Sequence, residues 1–264
     1  TIAHSTLLVL DPAERWPAIR AGRVTGNDGG QHHNWPHHNG GTSDPAEWQQ
    51  GRARYDIADL LAFEDRGDYL YLAADAARAY SPNKLKQFTR QILFLRPGTF
   101  VIFDRVASTK PEFKKTWLLQ AMKLPEPRGD DLVVIHGQGR LFVQTLLPAQ
   151  RQLALAAGGN LHDYDGQAFP PSRSIGRAPE CRIEISPVQP NTTDFFLHVL
   201  TATDVGTNSV PRGVARVEGG RVHVELAGLK CTFFTDTVGG EITWRSQTNQ
   251  LADALRADDA RAIR

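Results

Sequence analysis

Four of the nine histidines fall in one short run, Gln31-His32-His33-Asn34-Trp35-Pro36-His37-His38-Asn39-Gly40-Gly41. Neutral imidazole is a good zinc donor. Adjacent histidines in an extended chain point to opposite sides, so each pair offers one ligand per face. A loop can fold two or three of them onto one ion. The run holds no cysteine, and its nearest carboxylates are Asp28 and Asp44, so a solvated or substrate-touching loop is the competing expectation. His4 lies in the apolar run Thr1-Ile2-Ala3-His4-Ser5-Thr6-Leu7-Leu8-Val9-Leu10. As part of a strand it shares a face with Ile2 and Thr6. It reads either as a metal ligand or as a half-buried imidazole bonded to a backbone carbonyl. Asn27-Asp28-Gly29-Gly30-Gln31 is a tight polar turn, in which glycine supplies backbone freedom and Asn and Asp cap their own turns. Lys114-Lys115 and the Arg173 and Arg177 region are basic clusters, read as solvated surface or as a seat for an anionic substrate. Thr1 as an amino-terminal nucleophile lacks a nearby Gly-rich and Lys context. The sequence has no phosphate-binding glycine loop with lysine, no nucleophile elbow and no Cys-x-x-Cys. No general acid/base pair stands out.

The elements that must hold these groups are short strands. The chain has 264 residues, 41% hydrophobic and 22% charged, an ordinary globular mix with a net charge of +1. That balance argues against a nucleic-acid binder driven by bulk positive charge. The apolar runs are far shorter than a membrane-spanning helix. Twenty-three glycines and 16 prolines punctuate the chain, which favours strands over long helices. Thr6 to Leu10 reads as a buried strand, and residues 12 to 55 as a long loop. Asp56 to Glu64 and Tyr69 to Ala76 read as strands, the second with Tyr69, Tyr71 and Ala73 on one face. Lys86 to Leu95 and Phe100 to Val106 form a hairpin, with Pro97 and Gly98 at the centre of a type II turn. Further strands run to Ala202, with an irregular stretch over residues 158 to 181. Val205 to Pro211 reads as a linker, and strands from Gly213 onward form a small sheet. Leu251 to Ile263 has helical spacing. The expected fold is all-β: a large antiparallel β-sandwich over residues 1–205, then a small β domain over 206–264 with a short terminal helix. Cys181 and Cys231 leave a disulfide or two buried thiols equally open.

Three stretches resemble the heparinase II/III-like polysaccharide lyases. The first is Ala3-His4-Ser5-Thr6-Leu7-Leu8-Val9, similar to that family's Ala-His-Asn-Thr/Ser-Leu-Leu-Val strand. The second is Asn27-Asp28-Gly29-Gly30-Gln31. The third comprises Gly67-Asp68-Tyr69, Ala73-Ala74-Asp75-Ala76, Ala79-Tyr80, Phe88-Thr89-Arg90, Leu95-Arg96-Pro97-Gly98, Val101-Ile102-Phe103-Asp104-Arg105-Val106 and Lys114-Lys115-Thr116-Trp117-Leu118-Leu119. The match covers residues 1 to 120 well and the remainder loosely.

The resemblance implies an amino-terminal α-helical toroid, a central β-sandwich and a small terminal β domain, of which this chain matches only the β part. It lacks the toroid and the first sandwich strands, and is expected to be a fragment or processed chain. The implied reaction is β-elimination on a uronate-containing polysaccharide, with a Tyr as acid/base and Asn or His neutralising the carboxylate. Those catalytic groups are expected upstream of Thr1. The resemblance also implies a structural zinc bound by His4, completed by a His and an Asp outside this chain. Ser5 stands where the family has Asn. Loop 26–41 is the candidate cleft edge, with Asp28, Gln31, His32 and His33 as candidate sugar contacts. The expected partners are an acidic polysaccharide or oligosaccharide and the missing toroid, with no nucleic acid and no membrane. The expected location is periplasmic or secreted. Two other expectations compete: a non-catalytic carbohydrate-binding or accessory β-sandwich module, and a self-contained metal enzyme built on the histidine-rich loop.

Overall fold

The computed structural model describes residues 1–15, 26–31, 44–52, 56–171, 176–245 and 247–251. The chain opens with β1 (Leu7–Leu10) and the helix α1 (Pro45–Gln50), then β2 (Asp59–Asp65), β3 (Tyr69–Asp75), β4 (Leu85–Leu95), β5 (Thr99–Ser108) and β6 (Lys114–Ala121). It continues through β7 (Glu126–Arg128), β8 (Asp131–His136), β9 (Gly139–Leu147), β10 (Arg151–Ala157), β11 (Asp163–Tyr164), β12 (Gln167–Ala168), β13 (Cys181–Pro187) and β14 (Thr193–Asp204). The last part holds β15 (Val214–Glu218), β16 (Arg221–Leu226), β17 (Leu229–Phe234), β18 (Gly240–Trp244) and β19 (Gln247–Leu251).

The pairings are antiparallel and build three main sheets. A central eight-stranded sheet has the order β2-β3-β4-β5-β14-β9-β8-β7. A four-stranded sheet, β1-β6-β13-β10, covers one of its faces, and a five-stranded sheet, β15 to β19, covers the other. Alternation along the strands sorts side chains between two cores. Phe88, Val106, Phe196 and Leu200 meet Leu7, Val9, Trp117, Ile183 and Ile185 in the first. Tyr71, Leu93, Val101, Phe103, Leu197 and Val199 meet Val222, Val224, Cys231, Phe233 and Ile242 in the second. Runs such as Phe100-Val101-Ile102-Phe103 are apolar at every position because both faces of their sheet are covered. The boundary read at residue 205 falls between β14 and β15, and the smaller sheet lies on the same central sheet as a third layer.

Three polar contacts tie the sandwich together, and each comes from a segment of the family-like motifs. Arg90 and Asp104 face each other across β4 and β5 in a two-pronged pair, at 2.7 and 2.6 Å. Lys115, buried at the start of β6, lies 2.8 Å from the buried carboxylate of Asp194 on β14. The Trp117 indole stacks on the His198 imidazole at 3.7 Å between centroids, and His198 Nδ1 lies 3.1 Å from the Thr145 hydroxyl. Burial, with the charges of Arg90 and Arg151, holds the His198 imidazole well below the ordinary histidine range.

Several local expectations need correction. β1 starts at Leu7, and residues 2–6 are turns and bends rather than strand. The loop expected over residues 12–55 contains α1, capped by Asp44 accepting from Ala46 N at 2.8 Å, with proline in its first turn. Asp-Pro is a local helix-start signal set in a region dominated by glycine. The stretch read as irregular over 158–181 contains the hairpin β11–β12, whose turn residues Asp165 and Gly166 both have positive φ. Asp-Gly is the favoured pair for such a turn. The β4–β5 turn is not type II, because Gly98 lacks positive φ. Gly98 is needed for another reason, since a Cβ there would sit 2.6 Å from the Ala202 carbonyl oxygen. Cys181 and Cys231 are free thiols buried in different cores. Of the helix expected over Leu251 to Ile263, Leu251 instead ends β19, and the rest lies outside the described residues.

Two outcomes are expected. Removing one half of the buried ion pair leaves a charge without its partner, so Asp104→Ala should cost about 3–5 kcal/mol in urea unfolding. The paired apolar change Arg90→Met/Asp104→Leu should cost less. A histidine depressed on folding takes up its proton first in the unfolded chain, so stability should fall as pH drops below ~6.5. Urea midpoints across the acid range should show that fall, and His198→Gln should make it shallower.

Candidate functional site

The polar turn over residues 26–31 is fixed from both sides. Asn27 donates to the Asp11 carbonyl at 2.7 Å and accepts from Gly29 N at 2.9 Å. Asp28 is buried; its Oδ1 accepts from Gly30 N at 2.8 Å, and its Oδ2 accepts from Thr1 N and Ile2 N, each at 3.0 Å. Gly29 has φ +73°, and its carbonyl accepts from Val9 N at 2.8 Å on the edge of β1. A Cβ there would press on the Val9 backbone at 3.1 Å, so glycine serves both the conformation and the close approach. Beneath the turn, the buried Lys84 ammonium donates to the Gly30 carbonyl at 3.1 Å and to Glu14 Oε2 at 2.7 Å. Burial pulls its pKa down, and Glu14 opposes that shift. The Tyr80 hydroxyl donates to the Leu7 carbonyl at 2.6 Å. The turn is a strut that sets where the first residues of the chain lie.

Those first residues present His4. Its imidazole is exposed, on a turn closed by His4 N donating to the Thr1 carbonyl at 2.9 Å. Ser5 accepts from Gln120 N at 3.0 Å, and Gln120 Nε2 donates to the Ile2 carbonyl at 2.9 Å. Ser5 therefore docks the turn onto β6. Among the described residues no group of three histidine, cysteine or carboxylate side chains forms a metal cage. A zinc at His4 needs ligands beyond them.

A cleft of ≈ 270 Å³ opens beside this turn, lined by Ile2, Ala3, Gln120, His162, Phe169 and Arg182 among others. Its far wall is the segment around β11 and β12. Arg182 holds that wall in place: it is buried, pairs with Glu184 Oε1 at 2.9 and 2.6 Å, and donates to the carbonyls of Asp163, at 2.5 Å, and Leu161. Tyr164 is buried behind it, its hydroxyl 2.8 Å from the Thr116 hydroxyl, and burial raises its pKa. A tyrosine so placed stays protonated and serves as a hydrogen-bonding post. The cleft offers an apolar floor and a few polar groups, a surface suited to binding.

The sequence-level candidates separate accordingly. Asp28 lies inside the strut and engages backbone N–H groups. Gln31 is half-exposed at its end, its N–H donating to Thr1 Oγ1 at 2.7 Å. His32, His33, His37, His38 and Arg173 lie outside the described residues. The basic pair divides: Lys115 is buried against Asp194, and Lys114 is exposed over the Tyr164 ring. Arg182 escaped sequence reasoning because arginine within an apolar strand gives no sign of the carbonyls it will meet.

Removing the strut's carboxylate should cost about 1–3 kcal/mol, because several buried N–H groups lose their acceptor. Asp28→Ala should therefore lower the urea midpoint and speed proteolysis near the amino terminus, with Asp28→Asn showing a smaller effect. Equal midpoints for both variants and the parent would remove this role.

No family model and no curated protein sequence matches the chain. Solved structures similar in fold include the "Heparinase III-BT4657 gene product, Methylated Lysines", at 12% identity and a TM-score of 0.50, covering 80% of this chain and 34% of that one. A second is heparan sulfate lyase HepC from Pedobacter heparinus, at 13% identity and 0.48, covering 89% and 36%. A third, titled "Crystal Structure of Heparinase III", has 12% identity and 0.48, covering 75% and 27%. The chain thus spans about a third of the length of these structures, and the likeness is one of fold.

Proposed function

We propose that this chain is the carboxy-terminal β part of a polysaccharide lyase that cleaves uronate-containing polysaccharide by β-elimination. The observation that carries the reading is the likeness of its layered β fold to a heparinase III structure at a TM-score of 0.50. The substrate class is a glycosaminoglycan such as heparin or heparan sulfate, or an alginate-like polyuronate. In this reaction a base takes the proton α to the uronate carboxylate and the 4-linked sugar departs, leaving an unsaturated uronic residue. That proton is weakly acidic, so the carboxylate charge must be neutralised by hydrogen bonds. The acid/base tyrosine and the neutralising groups are assigned to an α-toroid portion of a longer polypeptide. In support, the hydroxyls of Tyr80 and Tyr164 are buried and engaged in structural hydrogen bonds. In this reading the β part forms one wall of the cleft, with the His4 turn and Gln31 at its rim.

Zinc, bound by His4 and by ligands outside this chain, would orient that wall. His4→Ala in the longer protein should then lose the metal, measured by elemental analysis, while retaining the fold. The reading also places the protein in the periplasm or outside the cell, where polymeric uronates are met, and cell fractionation tests that location.

The decisive experiment incubates the chain alone, and the chain with its upstream region, with heparan sulfate, other glycosaminoglycans and alginate. Ultraviolet absorbance follows the unsaturated product. Product only with the upstream region is the expected result. Turnover by the isolated chain, lost on chelation, would overturn it in favour of a self-contained metal enzyme. Binding without product from either form supports the second reading, a non-catalytic carbohydrate-binding module. The cleft of ≈ 270 Å³, with its apolar floor and a few polar groups, is the observation behind that second reading.

A further inference from the structure

The cleft of ≈ 270 Å³ beside the amino-terminal turn is built from two unlike sets of side chains. One set is apolar and includes Ile2, Phe169 and Pro179. Ile2 and Phe169 belong to the small core on the outer face of the four-stranded sheet, where Ile2 is buried and Phe169 partly so. The other set is polar: Gln120, His162 and Arg182. Gln120 and Arg182 are direct partners across β6 and β13, so they stand side by side.

Each polar member keeps hydrogen-bonding capacity beyond its structural duties. A guanidinium carries five N–H groups. Arg182 uses Nε and Nη2 on Glu184 Oε1, Nη2 on the Asp163 carbonyl and Nη1 on the Leu161 carbonyl, which leaves one N–H on Nη1. The Gln120 amide gives one N–H to the Ile2 carbonyl and keeps a second N–H and Oε1. His162 is engaged through its backbone carbonyl, which accepts from Phe169 N at 2.8 Å, and its half-buried side chain lines the cleft. The titratable side chains of the described lining are thus a guanidinium and an imidazole. The structural bonds of Gln120 and Arg182 also hold them in place before a ligand arrives, which lowers the cost of binding.

We propose that this cleft is a subsite for one uronate ring of an acidic polysaccharide. A pyranose chair presents C–H groups on its faces and hydroxyls around its edge, so it asks for an apolar plate and polar groups together. Phe169 and Pro179 meet the C–H face. Gln120, donor and acceptor at once, meets neighbouring hydroxyls. Arg182 and His162 meet the carboxylate, for which charge-assisted bonds are the strong ones. Pockets for drug-sized ligands begin near ~300 Å³, so this cleft suits a single ring while the rest of the polymer runs past its opening. The assignment rests on the proposed substrate class, which the lyase and binding-module readings share, and it does not depend on cleavage.

The test is an NMR titration of this chain with hexasaccharides of heparan sulfate and of mannuronate, and with neutral cellohexaose. A one-ring contact implies a Kd of about 1 mM. Either uronate ligand should shift the amides of residues 2, 3, 120, 162, 169 and 182 as one cluster, and cellohexaose should bind about fivefold more weakly or less. His162→Ala should weaken uronate binding about fivefold, and Phe169→Ala about tenfold, with Phe169→Tyr restoring most of it. His162→Ala removes a half-exposed ring, so its circular dichroism and melting curve should match the parent's. No shifts up to ~10 mM ligand, shifts centred elsewhere, equal affinity for cellohexaose, or unchanged affinity in both alanine variants would each overturn the subsite. Unsaturated product from the longer protein without shifts at the cleft overturns the subsite and leaves the lyase reading standing. Shifts at the cleft without product from the longer protein support the subsite and remove the lyase reading.

Discussion

The eight-stranded sheet has little access to water on either face across most of its strands, and much of the molecule follows from that. A sheet covered on both sides needs apolar side chains at nearly every position, and β4, β5 and β14 supply them. It also needs two covers: β1, β6, β10 and β13, interleaved along the chain with strands of the central sheet, build one, and β15 to β19, which follow β14, build the other. Any polar group within such a stack must bring its partner with it. Arg90 with Asp104 and Lys115 with Asp194 meet that requirement, and His198 meets it at Nδ1 through Thr145. They are spread over the sandwich, so register and layer spacing are fixed at several points.

This gives the family-like motifs a physical meaning. Phe88-Thr89-Arg90 and Asp104-Arg105-Val106 contain the two halves of one ion pair on neighbouring strands. Lys115-Thr116-Trp117 supplies, in three consecutive residues, an ion-pair partner for β14, a hydroxyl bonded to Tyr164 and the indole stacked on His198. Each is a framework device. A sequence can keep such residues because the layers require them, whatever chemistry the finished protein performs.

The polar turn at residues 26–31 connects framework to rim. Its buried carboxylate and the lysine beneath it engage backbone groups, and so determine where the first residues and the His4 imidazole are presented. Across the cleft, Arg182 does the same for the opposite wall by binding main-chain carbonyls. In both walls a buried charge holds irregular backbone, which cannot satisfy itself as helix or sheet does. The rim is therefore preorganised, although its chain is loop.

The β class, the alternating faces of β3 and the β4–β5 hairpin were legible in the amino-acid order, because periodicity and turn residues act over a few positions. The helix capped by Asp44 and the Asp165-Gly166 turn rest on equally local signals. Other features depended on residues far apart in the chain. The turn chemistry of Asp28 was readable locally, whereas its bonds to the N–H groups of residues 1 and 2 depend on those residues folding back onto it. Lys115 looked like surface until Asp194, 79 positions away, met it across the sandwich. The glycine at position 98 looked like a turn residue until the Ala202 carbonyl came within reach. Local order set the kind of element; which side chains lost water, and what they met there, was settled when the three layers closed on one another.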